Sequence, residues 1–177
     1  MSNKTIHFID YDGTIMNSIL PEEGKKIYKE KTGNDYPHIG WWGRPESMDM
    51  EIFEIVPKPE VYDIYNKIKD SDDHQTVLMT NRQKKLSKHV EKTLVHHNIY
   101  FNHYSYKDSN ESKAERILRI MKTHYPETIN IVFYDDDVTH IIDAEQKLKE
   151  LGYNIVCHKI NSDLDYKQQD EETKKSY

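Results

Sequence analysis

The sequence predicts an α/β fold, a three-layer sandwich whose central parallel sheet lies between two layers of helices. Short apolar runs rich in β-branched and aromatic residues recur along the chain, and segments with helical spacing of apolar residues separate them. Three of those runs end abruptly in polar residues. Alternating strands and helices imply right-handed crossovers, and in such sheets ligands sit beyond the carboxyl ends of the strands at a topological switch point.

The first strand is Ile6-His7-Phe8-Ile9, too brief for a helix, and it runs into Asp10-Tyr11-Asp12-Gly13-Thr14. Two acids one residue apart repel each other unless a cation or a shared proton resolves them. If the strand stays extended, its period of two sends both carboxylates to the same side. A short helix follows over Pro21 to Tyr28, with proline and acids in its first turn and lysines after them, and Thr32-Gly33-Asn34-Asp35 ends it. Residues 36–56 are less regular and hold both tryptophans, in Gly40-Trp41-Trp42-Gly43-Arg44-Pro45. We read about 16–56 as an insertion, a small cap over the mouth of the first strand.

From Pro59, Val61, Ile64, Tyr65 and Ile68 mark an amphipathic helix, and Thr76-Val77-Leu78-Met79 is a second buried strand ending at Thr80-Asn81-Arg82. Leu86, Val90 and Leu94 predict a helix from about 83 to 97, and the aromatic-rich stretch 99–106 a third strand. Asp108-Ser109-Asn110 offers an N-cap for a helix with Lys113 near its start and a stripe of Ala114, Ile117, Leu118 and Met121. Asn130 to Tyr134 forms the fourth strand and runs into Asp135-Asp136-Asp137. A helix carrying Ile141, Ala144, Leu148 and Leu151 then closes at Gly152, and residues 153–157 form the fifth strand. One domain over 1–161 and a polar, flexible tail over 162–177 complete the expected organisation.

Composition narrows the function classes. The 177 residues suit one domain with a modest insertion, and 36% apolar against 32% charged residues gives a globular core with a very polar surface. The formal net charge of −6 argues against a surface made for nucleic acid as a whole, although Lys84-Lys85-Leu86-Ser87-Lys88 and Lys25-Lys26-Ile27-Tyr28-Lys29 are locally basic. No stretch approaches transmembrane length, and Met1-Ser2-Asn3-Lys4 leads into the first strand without a signal peptide. No membrane partner is therefore expected. The single cysteine, Cys157, excludes an internal disulfide and fits a reducing, cytoplasmic setting. The ten histidines show no zinc-ligand spacing.

The polar residues at the strand ends make a coherent chemical set. Phosphoryl transfer needs a nucleophile, positive charge around the phosphoryl oxygens and a proton source for the leaving group. Asp10 suits the first role and Asp12 the last; Thr80 can donate to a phosphoryl oxygen, and Lys113 can offset the acids. Mg²⁺ suits a hard site made from Asp10, Asp135 and Asp136 with Asp12, the last through its backbone carbonyl. Asn81, Arg82, Arg44, Trp41 and Trp42 are the candidate substrate contacts: guanidinium forks match phosphate, and an exposed indole can stack on a base.

The run Asp10-Tyr11-Asp12-Gly13-Thr14 behind an apolar strand resembles the first motif of the haloacid dehalogenase-like (HAD) phosphatases. The later partners also match in order: Thr80 at a strand end, Lys113 opening a helix, and Asp135 with Asp136 after a strand. The resemblance implies that Asp10 is the nucleophile of an aspartyl-phosphate mechanism, that Asp12 is the general acid and base, and that Mg²⁺ is required. Thr80-Asn81-Arg82 further resembles the second motif of polynucleotide 3′-phosphatases. Tyr134-Asp135-Asp136 with His140 and the Trp41-Trp42 region looks like the Swiss-army-knife RNA repair-like branch, from which Asp137 departs where that branch often has Arg. RNA or DNA ends are the substrates this implies. Free nucleotides or small phosphorylated metabolites are the alternative, and a non-catalytic phosphate- and Mg²⁺-binding module of the receiver type is the alternative from another class.

Overall fold

The structure, a computed structural model, describes residues 2–164. Five strands form one sheet: β1 (Thr5–Ile9), β2 (His74–Gln83), β3 (His103–Lys107), β4 (Asn130–Asp135) and β5 (Asn154–Lys159). Every pairing is parallel and the spatial order is β3-β2-β1-β4-β5. The chain builds outward from β1 to one side and then returns to β1's other edge, so the order reverses beside β1, where an open sheet binds ligands. A receiver-type sheet would read 2-1-3-4-5. That architecture is excluded.

Alternation along β1 divides the core. Ile6 and Phe8 face one layer, where they pack with Ala114, Ile117 and Met121 of α4 (Lys113–His124) and Ile141, Ala144 and Leu148 of α5 (Val138–Glu150). Ile9 faces the other layer, which holds α2 (Pro59–Ile68), α3 (Ser87–His96) and the segment 16–56. Within that segment, α1 (Pro21–Thr32) starts at a proline and ends at Gly33, whose φ of 77° gives a left-handed cap bonded back to Lys29 O. Tyr11, Trp41, Trp42, Met48, Phe53 and Ile55 share one apolar cluster with Leu78, Val90 and Leu94.

Local details differ from the sequence expectation: β2 runs on to Gln83, so the helix expected from about 83 starts only at Ser87. The cap of α4 is Ser112, in a reciprocal box with Glu115, because Ser112 lies directly before the first helical turn whereas Asp108 to Asn110 lie four to two residues too early. β3 begins at His103, after Ile99 and Phe101 have turned into the core under α2 and α3. β1 ends at Ile9, so Asp12 is not in an extended strand: Ile15 N and Met16 N bond back to Asp10 O and Tyr11 O, and Gly13, at φ 71°, closes the loop. The tail expected over 162–177 lies outside the described residues from 165 onward. No helix among the described residues is long and apolar enough to cross a membrane.

A buried histidine gives the fold a pH dependence. His7 on β1 is hydrogen-bonded to Tyr134 Oη at 3.0 Å and to His74 at 2.8 Å. Burial, reinforced by His74 and His158, pulls His7 down to about 4. An unfolded chain takes up the proton near pH 6.5, whereas the native state refuses it until about 4, so native stability falls as pH drops through that window and is unaffected above it. Melting temperatures measured from pH 7 to pH 4 should fall less steeply for His7→Gln than for the unsubstituted protein.

Candidate active site

The carboxyl ends of β1, β2 and β4 meet at the switch point. Parallel register pairs Ile9 with Tyr134, and Asp10 N donates to Tyr134 O at 3.0 Å, which sets Asp10 beside the end of β4. Asp10, Asp135 and Asp136 each offer an oxygen within 4.8 Å of the others, and all three are buried. Lys113, at the first turn of α4, extends between them: Nζ lies 2.8 Å from Asp10 Oδ1 and 2.6 Å from Asp135 Oδ2. Thr14 Oγ1 donates to Asp10 Oδ2 at 3.0 Å. It is Lys113, rather than Lys107 at the end of β3, that reaches the acids.

The three acids have different electrostatic surroundings. Burial and the Asp135 charge push Asp10 up to about 6 against the pull of Lys113. Burial alone would raise Asp135 too, yet Lys113 and His140, whose Nδ1 lies 3.3 Å away, hold it at about 2. Burial together with the charges of Asp10 and Asp135 drives Asp136 up to about 9. Lys113 is itself raised above its ordinary value, since Asp10 and Asp135 outweigh the burial that works against its charge.

Asp136 is the orphan of the group. Both its oxygens are buried and neither makes a well-formed hydrogen bond among the described residues, with the Asp10 carboxyl and the Ser162 hydroxyl as its polar neighbours. Buried polar atoms are nearly always satisfied, and burial beside two other acids favours the protonated form of Asp136 unless a cation takes the proton's place. A hard divalent cation bound by oxygen ligands would resolve it, so the donor set fits Mg²⁺ with Asp10, Asp135 and Asp136 as its holders. Gly13 is what lets the orphan sit there: a Cβ at that position would collide with Asp136 Oδ2 and come within 2.5 Å of Ser162 Oγ and 2.9 Å of Leu164 Cδ1. Asp137 turns away to cap α5 and accepts from Thr139 N at 2.8 Å.

A second ionic group lies alongside. Arg82 grips Asp12 with both edges of its fork, Nε to Oδ2 at 2.8 Å and Nη2 to Oδ1 at 2.9 Å, and Ser18 Oγ donates to the same Oδ1 at 2.6 Å. Arg82 Nη1 also donates to Trp42 O at 2.5 Å and Ser47 Oγ at 2.8 Å. The expected phosphate contact of Arg82 is thus occupied by Asp12 in this conformation. The Asp12 carboxylate lies outside the three-acid cluster, which leaves only its backbone carbonyl as a candidate ligand.

Thr80 is buried at the end of β2; its Oγ1 accepts from Arg82 N at 3.0 Å, and its own proton has no acceptor among the described residues. Asn81 beside it is exposed. Trp41 has no exposed surface and Trp42 only 3%, so neither presents a ring face for stacking on a base. For Trp41 the reason is Gly24, whose missing side chain lets the ring lie directly on α1 while Nε1 donates to Ile19 O. Arg44 is half-buried and makes no ion pair with the acids; its Nε lacks a partner among the described residues. Thr14, Ser18 and Arg116 emerge as site-supporting residues that the sequence reading did not single out for a role, although Thr14 belongs to the first motif and Arg116 sits one turn beyond Lys113.

Solved structures share this arrangement of strands and helices. A haloacid dehalogenase-like family hydrolase from Streptococcus pneumoniae superimposes with a TM-score of 0.53 at 16% identity, over 90% of this chain and 96% of that one. The fold is haloacid dehalogenase-like. The HAD domain of effector protein Lem4 from Legionella pneumophila, in an inactive mutant, gives 0.53 at 14% identity over 96% of this chain and 92% of that chain. A chain of a Pnkp1/Rnl/Hen1 RNA repair complex gives 0.55 at 15% identity, matching 91% of this chain but only 44% of its own length. No family model and no curated protein matches the sequence. The HAD-like fold puts the Asp10 strand at the centre of the sheet and the acids of β4 next to it.

Proposed function

We propose that this protein is a Mg²⁺-dependent phosphomonoesterase that works through a phosphorylated Asp10, with nucleic-acid ends as its substrates. The observation that carries the reading is the unsatisfied, buried Asp136 against Asp10 and Asp135, with Lys113 held between two of them. A divalent cation would replace the protons that such a set otherwise keeps, and a HAD-like fold supports phosphoryl chemistry at that spot.

Asp10 is held for attack, with Oδ1 fixed by Lys113 and Oδ2 by Thr14. One of its oxygens bonds to phosphorus while the ester P–O bond breaks, and the leaving oxygen takes a proton from Asp12 once that carboxyl is protonated and released from the Arg82 fork. Water then attacks the acyl phosphate and gives its proton to Asp12, releasing inorganic phosphate and restoring Asp10. Thr80 donates its unshared proton to a phosphoryl oxygen, and Lys113 offsets charge on the equatorial oxygens. Mg²⁺, held by Asp10, Asp135 and Asp136, would add charge neutralisation and orientation of the phosphoryl group.

Support for nucleic-acid ends comes from Thr80-Asn81-Arg82 and from the likeness to a chain of an RNA repair complex. One observation favours free nucleotides or small phosphorylated metabolites instead. A cavity of about 530 Å³ adjoins Gly13, Ser18 and Ser162, and its rim carries Glu23, Glu30, Glu54 and Asp163 against Lys31 alone, a wall that repels a polyanion. Phosphate release should be compared across 3′-phosphorylated oligonucleotides, 5′-phosphorylated oligonucleotides and free nucleotides, with Mg²⁺ and with a chelator. Mg²⁺-dependent preference for the 3′-phosphorylated ends is the expected result; preference for free nucleotides overturns the substrate and leaves the chemistry standing.

A further inference from the structure

The β2–β3 ladder is interrupted where β2 reaches the site. Met79 pairs with Ser105 and Gln83 with Lys107, so Thr80, Asn81 and Arg82 are squeezed out as a bulge opposite one residue of β3. Bulges of this kind re-aim side chains beside functional sites, at the cost of leaving ladder carbonyls without partners. Here one side chain takes them over. Arg116, on α4, donates from Nη2 to Thr80 O at 2.6 Å and Ser105 O at 2.9 Å, from Nε to Ser105 Oγ at 3.1 Å, and from Nη1 to Asn81 Oδ1 at 2.8 Å.

Two features set this apart from ordinary bulge repair. The guanidinium is 2% exposed, yet no carboxylate among the described residues lies within ion-pairing distance. A buried charge whose hydrogen bonds all go to neutral acceptors is costly, with the charges of Asp108, Glu111 and Asp10 acting on it only from beyond ion-pairing distance. The contact with Asn81 also fixes the orientation of that amide. Arg is a donor only, so the Asn81 oxygen must face it, and the NH₂ group must face away, on an exposed residue at the carboxyl end of β2.

We propose that Arg116 is a positioning residue for phosphoryl recognition, holding the Thr80–Arg82 bulge in shape and turning Asn81 so that its NH₂ group donates to a phosphoryl oxygen. The inference rests on the phosphomonoesterase reading above. Lysine cannot replace Arg116 in this role, because a single ammonium cannot reach two carbonyls, a hydroxyl and an amide in a fixed plane.

The test measures inorganic phosphate binding by calorimetry with Mg²⁺ present, for the unsubstituted protein, Asn81→Ala, Arg116→Lys and the double variant. Asn81→Ala is expected to weaken phosphate about tenfold, the usual worth of a hydrogen bond to a charged group. Arg116→Lys should weaken it at least as much, and the further loss it causes in the Asn81→Ala background should be smaller than in the unsubstituted protein. Independent, multiplying losses overturn the proposal. So does an Asn81→Ala protein that binds phosphate normally, and because Asn81 is exposed that arm decides even if Arg116→Lys does not fold. Failure of the unsubstituted protein to bind phosphate overturns the phosphomonoesterase reading itself, whereas binding that no variant alters overturns only the role of Arg116.

Discussion

Lys113→Met is expected to abolish measurable phosphatase activity and to cost about 3 kcal/mol of stability, the usual penalty for stripping one partner from a buried charge cluster. The side chain of Lys113 is buried and bonded to Asp10 and Asp135 at once, so its loss strips both buried acids of their lysine partner. Methionine keeps most of the volume, which separates the effect of charge from that of a cavity. Urea titration of both proteins reads the loss. Adding Mg²⁺ should restore more stability to the variant than to the unsubstituted protein, because the bound cation then supplies the missing positive charge. An equal gain in both would mean that the acids of β1 and β4 do not share a cation site.

Gly13→Ala should damage the site severely. At φ 71° an alanine is strained by about 1 kcal/mol, and its Cβ would also collide with Asp136 Oδ2 while crowding Ser162 and Leu164. Asp136 can yield only by leaving the cluster. Activity should fall by on the order of a hundredfold or more, in line with a misplaced catalytic group. Gly33→Ala is the matched control: φ is 77° there and nothing lies within 4 Å of the added carbon, so it should cost a similar backbone strain with unchanged activity. If both variants lose activity equally, the close approach at Gly13 is not what matters.

Much of the site was legible because its signals are local. Strand ends are marked by apolar runs that stop at polar residues, and the order Asp10, Asp12, Thr80, Lys113, Asp135, Asp136 needs no three-dimensional knowledge to notice. Lys113 was legible as the lysine that opens α4, and the structure shows it, rather than Lys107 at the end of β3, bonded to Asp10 and Asp135. What stayed hidden depends on contacts between distant residues. Arg82 looks like a phosphate ligand in its own motif, yet Asp12, seventy positions away, accepts both edges of its fork. Trp41 looks like a recognition residue until Gly24 makes room for its ring under α1. Arg116 reads as a charged break in an apolar stripe, and nothing in α4 itself announces that a bulge in β2 needs four hydrogen bonds.

Asp12 lies beyond the end of its strand, contrary to the sequence expectation. Period two holds only while the ladder continues, and β1 ends at Ile9 because residues 10–16 bond among themselves around Gly13. Asp12 therefore reaches the site from a loop, steadied by Arg82 and Ser18 rather than by the sheet.

The most direct measurement is the site of covalent phosphorylation during turnover. The protein would be mixed with an aryl phosphate and Mg²⁺, quenched rapidly in acid and mapped by mass spectrometry. The phosphoryl group is predicted on the peptide containing Asp10, and it should be absent from Asp10→Asn, which should also release no phosphate. Phosphate release by Asp10→Asn at the unsubstituted rate, or a label on any other residue, would contradict the proposed chemistry.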